Sequence, residues 1–232
     1  MVFICHLLTG KLALPSADLH LPLLSDYPSN MSTDFWNERY ASNDFVYGQA
    51  PNEFIAIHTN LFPKTGTALD IAAGEGRNAL YLASLGLDVL AIDQSTVGLQ
   101  KAERLARERG LTLNTQAVDL NDYQAKPSTF NVITSTFAHV PQDIRAKVHA
   151  GVQSWLKPGG IFLLEAYAPD QIHRDTGGPK DPALLAPLDT ILQELSSLTI
   201  EHQASLVRNV TEGDFHTGDA SVIQVIARRP TS

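Results

Sequence analysis

The run Leu69-Asp70-Ile71-Ala72-Ala73-Gly74-Glu75-Gly76-Arg77-Asn78 constrains the fold more than any other part of this chain. A short apolar strand ends in small residues, and a helix starts at once. That geometry brings backbone N–H groups and a helix N-terminus up to a bound ligand. The next apolar run, Val89-Leu90-Ala91-Ile92, ends at Asp93 and supplies a second acidic side chain beside the turn. Together they point to a nucleoside-containing cofactor.

The chain has 232 residues, 44% of them hydrophobic, enough for one domain with a substantial core. That domain is expected over 31–232. Residues 1–30 read as a loosely ordered extension, punctuated by Pro15, Pro22 and Pro28. The apolar stretch 2–8 lacks a preceding cationic segment and makes a poor signal peptide, so Met31 is a candidate translation start.

A net charge of −8 and the lack of a dense Lys/Arg run argue against a nucleic-acid partner. Lys101, Arg104, Arg107 and Arg109 alternate with Glu103 and Glu108, which reads as a solvated helix face. The single cysteine, Cys5, excludes a disulfide framework or a cysteine metal site within one chain. The histidines form no H-E-x-x-H pattern, and no metal site is expected. No stretch approaches the roughly 18 apolar residues of a bilayer span, so a cytoplasmic protein with no membrane partner is expected. Oligomeric state is not legible in this pattern.

Helices are expected over 34–40 and, from Pro51, over 51–62. Strands at 68–72, 88–92, 111–118 and 130–136 then alternate with helices at 78–85 and from Ser95 to Gly110. After Pro141, Ile144, Val148, Val152 and Trp155 form one buried helical stripe. Lys157-Pro158-Gly159-Gly160 reads as a turn before a fifth strand at 161–165. A helix near 184–195 and two β-rich segments, 200–210 and 220–227, complete the chain as a hairpin at the sheet edge. The pattern is that of an α/β fold. It predicts a doubly wound, Rossmann-like sheet of seven strands, mostly parallel with an antiparallel final strand.

A dinucleotide fingerprint would place glycines at Ala72, Gly74 and Arg77. Two are missing, and Arg77 is too large for close helix–strand packing, which leaves a nucleotide-linked oxidoreductase as a distant rival. The D-x-A-x-G-x-G arrangement, with Asp93, Asp119-Leu120 and the segment 156–160, resembles the class I S-adenosylmethionine (SAM)-dependent methyltransferases. The lead-in Phe35-Trp36-Asn37-Glu38-Arg39-Tyr40, Tyr47-Gly48 and Pro51-Asn52-Glu53-Phe54 is similar to that of the tellurite-resistance methyltransferase group and its bacterial relatives. So is Gly74-Glu75-Gly76-Arg77-Asn78. The resemblance spans about residues 34–228. Two positions depart from it: Ala72 replaces the usual first glycine, and Asn131 replaces an aspartate, which removes the charge needed for a salt bridge.

The resemblance implies SAM as cofactor. Ala72, Gly74, Gly76, Arg77 and Asn78 would form its loop, and Asp70 would orient that loop or bind the methionine amino group. Asp93, followed by Gln94, would accept from the ribose hydroxyls, since a carboxylate offers two acceptor oxygens. Asp119 would accept from the adenine amino group, with Leu120 against the ring. Ser135 would face the cofactor. Helices within 34–62 would cover it, with Tyr40 and Tyr47 as lid residues or as core aromatics.

Methyl transfer needs alignment and exclusion of water more than acid–base machinery. Where an acceptor needs a base, His139, Glu165, Tyr167 and His216 are the candidates. His139 is equally readable as a loop-shaping residue, Glu165 as a sheet-end carboxylate and His216 as a hairpin residue. A small-molecule methyl acceptor is expected, and the resemblance points to a thiol, a chalcogenide or a chalcogen oxyanion. The rivals are an amine, carboxylate or protein side chain as acceptor, or a SAM-binding regulator without catalysis.

Overall fold

The computed structural model describes residues 32–213 and 216–231. The extension expected over 1–30 lies outside the described residues. Seven strands form one sheet: β1 (Gly66–Ile71), β2 (Leu87–Asp93), β3 (Asn114–Ala117), β4 (Phe130–Thr136), β5 (Leu156–Tyr167), β6 (Thr199–Thr211) and β7 (Thr217–Arg228). Their order is β3-β2-β1-β4-β5-β7-β6. The first five are parallel, and β7 runs antiparallel to both β5 and β6. The chain winds outward from β1 to β3, then restarts at β4 on the other side. That reversal opens a crevice beyond the carboxyl ends of β1 and β4, where ligands of such sheets bind.

Alternate residues of each strand serve opposite layers. Leu69, Ile71, Ile133, Phe162 and Leu164 face helices α5 (Gln142–Trp155) and α6 (Leu188–Glu194), meeting Val148, Val152, Trp155 and Ile191. Ala68, Val132, Ile161 and Leu163 face the other layer. There Ala79 and Leu82 of α3 (Arg77–Ser84), Leu99 of α4 (Thr96–Glu108) and Phe54 of α2 (Glu53–Ile57) pack. The expected α5 stripe holds, with Ile144 only partly buried because it reaches the crevice. The lead-in helix α1 (Thr33–Arg39) is capped by the Ser32 side chain.

Four boundaries differ from the sequence reading. The turn expected at Lys157–Gly160 is instead a distorted start of β5, with a register shift opposite Phe130 and Val132. Gly159 adopts φ +77° there, and its N–H donates to the Arg229 carbonyl at 2.9 Å. The expected helix 51–62 is only the short α2 followed by a 3-10 turn, Thr59–Leu61. Its cap is Asn52, whose side chain accepts from the Ile55 N–H at 3.2 Å. The helix expected over 184–195 is broken by Pro187, which disfavours helical backbone at Ala186 and starts α6 late. The strand expected over 111–118 is reduced to 114–117.

Gly76 begins α3 in the left-handed region, φ +83°, and a Cβ there would lie 2.4 Å from the Ala102 Cβ of α4. Gly76→Ala is therefore expected to lower unfolding free energy by about 1–3 kcal/mol through overpacking, read as a reduced urea midpoint.

Candidate active site

A cavity of about 200 Å³ occupies the crevice. The 72–75 turn, Asp93 and Gln94 form one wall, with Asp119 and Leu120 beside them. Residues 136–141 and His216 form the opposite wall, and Trp36, Tyr40 and Tyr47 the roof.

The turn is conformationally demanding. Ala72 and Gly74 both have positive φ, +55° and +54°. Ala72 thus keeps the backbone shape of the missing glycine at a cost of roughly 1–2 kcal/mol. Gly74 is needed for space as well, since a Cβ there would lie 2.8 Å from the Tyr40 hydroxyl. The Gly74 N–H donates to Asp93 Oδ2 at 2.8 Å, and the Ser95 N–H to Asp93 Oδ1 at 2.7 Å. Burial pushes the Asp93 carboxyl up, and these backbone donors oppose the shift. Ser95 caps α4 by accepting from the Gly98 N–H at 3.0 Å, while its hydroxyl donates to Asn37 Oδ1 of α1 at 2.8 Å.

The roof is tied down by polar groups that the sequence reading missed. Lys101, expected on a solvated face, is buried in an ion pair with Glu75. Its ammonium also donates to the carbonyls of Ser42 at 3.0 Å and Asp44 at 2.6 Å. Glu75 Oε2 accepts from the Val46 N–H at 2.8 Å. Asn78 accepts from the Asn52 N–H and donates to Thr136 Oγ1, both at 2.8 Å. One signal was available: Lys101 immediately precedes Ala102, on the apolar side of α4. Trp36 stacks on Tyr40 at 5.5 Å, and Tyr40 meets Tyr47 edge-on at 6.3 Å.

Of the expected cofactor residues, Tyr40, Tyr47, Ala72, Gly74, Arg77 and Asn78 line the cavity. Asp93, Gln94, Asp119 and Leu120 line it too. Asp70, Gly76 and Ser135 do not. Asp70 lies below the surface, where Thr134 Oγ1 donates to its Oδ1 at 2.7 Å and braces β1 against β4. Gly76 serves the contact between α3 and α4. Ser135 faces a smaller cavity of about 30 Å³ behind the main one.

The candidate bases also divide. His216 lines the main cavity, Glu165 and Tyr167 border the smaller one, and His139 lies between the two and lines both. Both Glu165 oxygens are occupied: Oε1 by Arg208 Nε at 2.6 Å, Oε2 by Asn52 Nδ2 at 2.9 Å and Arg208 Nη2 at 3.1 Å. That engagement makes Glu165 a tether of the hairpin rather than an open base. Tyr167 stacks behind His139 at 5.2 Å. Arg77 Nη2 pairs with Glu212 at 2.6 Å, while its Nη1 is buried without a hydrogen-bond partner.

Residues 68–160 match the model of a family described as a methyltransferase domain. In sequence there, and in fold over most of its length, the chain is similar to the class I SAM-dependent methyltransferases. A ubiquinone biosynthesis O-methyltransferase from Paraburkholderia xenovorans is 34% identical over 110 residues, 46% of either chain. The chain spans about half the length of the curated relatives it matches. The structure of TehB from Haemophilus influenzae superposes with TM-score 0.64 at 17% identity, covering 85% of this chain and 66% of that one. An S-adenosylmethionine-dependent methyltransferase from Mesorhizobium loti gives TM-score 0.55 at 20% identity, covering 73% and 94%. No helix among the described residues is long and apolar enough to cross a membrane.

Against that family pattern, Asn131 preserves the contact expected of an aspartate without its charge. Its Oδ1 accepts from the Thr67 N–H and from Lys157 Nζ, both at 3.0 Å.

Burial raises Asp70 from 3.8 to about 7, against the hydrogen bond from Thr134 and the charge of Arg77. Folding therefore favours the protonated carboxyl. The contribution is full below the unfolded value and is lost as pH rises through the folded one. Wild-type stability is expected to fall between about pH 4 and pH 7 through this group, and Asp70→Asn to flatten that slope. Urea midpoints measured at intervals across this range test it.

Proposed function

We propose that the protein is a SAM-dependent methyltransferase that alkylates a small-molecule acceptor. The observation that carries this reading is Asp93, at the carboxyl end of β2. It grips the Gly74 amide and exposes its carboxylate edge to the cavity beside the glycine turn. Such an edge suits a ribose diol, and Asp119 and Leu120 flank the space for a purine.

The protein's own atoms fit the remaining part of that cofactor. Arg77 lines the cavity, and its Nη1 is buried without a hydrogen-bond partner. It matches the carboxylate end of an amino-acid moiety. Bound SAM supplies an electrophilic methyl on a sulfonium. The residues here orient it, cover it with Trp36, Tyr40 and Tyr47, and exclude water.

The sequence resemblance favours a thiol or chalcogen acceptor. A second reading, an oxygen acceptor, is supported by the O-methyltransferase relative and by uncharged histidine on the opposite wall.

Calorimetry is expected to show SAM binding and no NAD binding. Asp93→Ala should weaken SAM by about 1.5–3 kcal/mol through lost hydrogen bonds to a charged group. Unchanged affinity would sink the ribose assignment.

A further inference from the structure

The wall facing Asp93 is built from rings. Phe137 meets His216 edge-on at 4.9 Å, and Tyr47 lies 4.6 Å from His216. His139 stacks on Tyr167 with 7° between planes. Phe137 has φ +53°, a region a bulky side chain occupies only where its surroundings impose it. Its N–H is held by the Glu165 carbonyl at 2.8 Å, so the strain fixes the ring at the end of β4.

Two polar atoms interrupt this apolar surface. His139 Nε2 and His216 Nδ1 are buried without hydrogen-bond partners. His216 Nδ1 stands 4.0 Å from Glu212 Oε2, beyond hydrogen-bonding range. The Leu184 backbone opposes the fall in the His139 pKa, and a neutral imidazole can present the unpartnered Nε2 as an acceptor. Burial, then the neighbouring His216, pushes His139 down to about 3. Burial lowers His216 as well. Glu212 favours its charge, and Arg77 and Arg39 oppose it.

We propose that this wall is the acceptor subsite, that it takes an uncharged acceptor with a flat apolar body and one hydroxyl or thiol, and that His139 Nε2 receives that group's hydrogen. The proposal rests on the methyltransferase reading of the cavity. An oxyanion or carboxylate would set lone pairs against the lone pair of Nε2. An O–H or S–H donor satisfies it, and the rings cover the flat body.

The step balances without a further reactant. The carbon–sulfur bond to the methyl group breaks with its electron pair left on sulfur. A bond forms between that carbon and the acceptor oxygen or sulfur, and the acceptor's proton passes to Nε2. Positive charge thereby moves from the sulfonium to the imidazole, which later releases the proton to water. A weak base suffices because the acceptor's proton becomes strongly acidic once the methyl group is attached.

The test uses the whole protein saturated with S-adenosylhomocysteine and titrated calorimetrically with 4-methylphenol, phenylmethanethiol, 4-methylanisole and selenite. The phenol and the thiol are expected to bind, and 4-methylanisole to bind at least about tenfold more weakly for want of the donor. Selenite is expected not to bind. Selenite binding, failure of both donor probes to bind, or equal binding of the phenol and its ether overturns the proposal.

In turnover with SAM, His139→Ala should lower kcat by about 10²–10⁴-fold. His139→Gln can accept the hydrogen bond but not the proton, so its KM should stay within about threefold while kcat falls. Wild-type kcat in the Gln variant overturns the role of Nε2, and this variant carries the test if the Ala variant does not fold. A wild-type protein that fails to bind SAM sinks the underlying methyltransferase reading. Normal SAM binding without discrimination among the probes sinks the acceptor subsite alone.

Discussion

Four paired charges, two of them on buried carboxylates, hold the C-terminal hairpin against the parallel half of the sheet, and the far side of the cavity depends on them. Arg77 at the start of α3 pairs with Glu212 at the end of β6, and Arg208 bridges Glu212 and Glu165. Asn52 donates to both carboxylates, at 2.9 and 3.0 Å. Two cations thus neutralise two buried carboxylates. Removing a cation from such a set leaves an uncompensated buried carboxylate, a loss of up to about 3–5 kcal/mol. Through this set the link carrying His216 is brought to the cavity, and the Glu212 N–H closes that link on the His216 carbonyl at 2.7 Å.

The roof relies on a second buried pair. Glu75 sits within the glycine turn, so the Glu75–Lys101 contact joins the ligand-facing loop to the 42–46 segment above it. Turn, roof and hairpin are therefore mechanically connected. The cavity has a polar wall where strands β1 and β2 end and a ring-lined wall where β4 ends. Those two chemistries suit a nucleoside amino acid on one side and an apolar acceptor on the other.

Much of the fold was legible because its signals are local. Short apolar runs marked the parallel strands, a 3.6-residue apolar stripe marked α5, and Ser95 marked the start of α4. The reversed last strand followed from the two consecutive β-rich segments. At Gly159 long-range pairing overrides turn chemistry, because the Arg229 backbone recruits a nominal turn into β5. The late starts of α2 and α6 have local causes, the Asn52 cap and Pro187. Much of the cavity wall at the glycine turn was legible too, because Asp93 and Gly74 follow directly from strand ends. Lys101 was misread because its charge outweighed its place on an apolar helix face.

The sequence alone determined the strand–turn–helix unit, the acidic residue ending the next strand and the alternation that makes the sheet parallel. Each arises from residues within a few positions of one another. Only the tertiary structure decided which titratable groups reach the cavity. Glu165 and His139 looked equivalent as candidates after neighbouring strands. Arg208 and Asn52, distant in sequence, occupy the Glu165 oxygens, while no partner reaches His139 Nε2. Burial and long-range hydrogen bonding set that difference, and neither is written in local pattern.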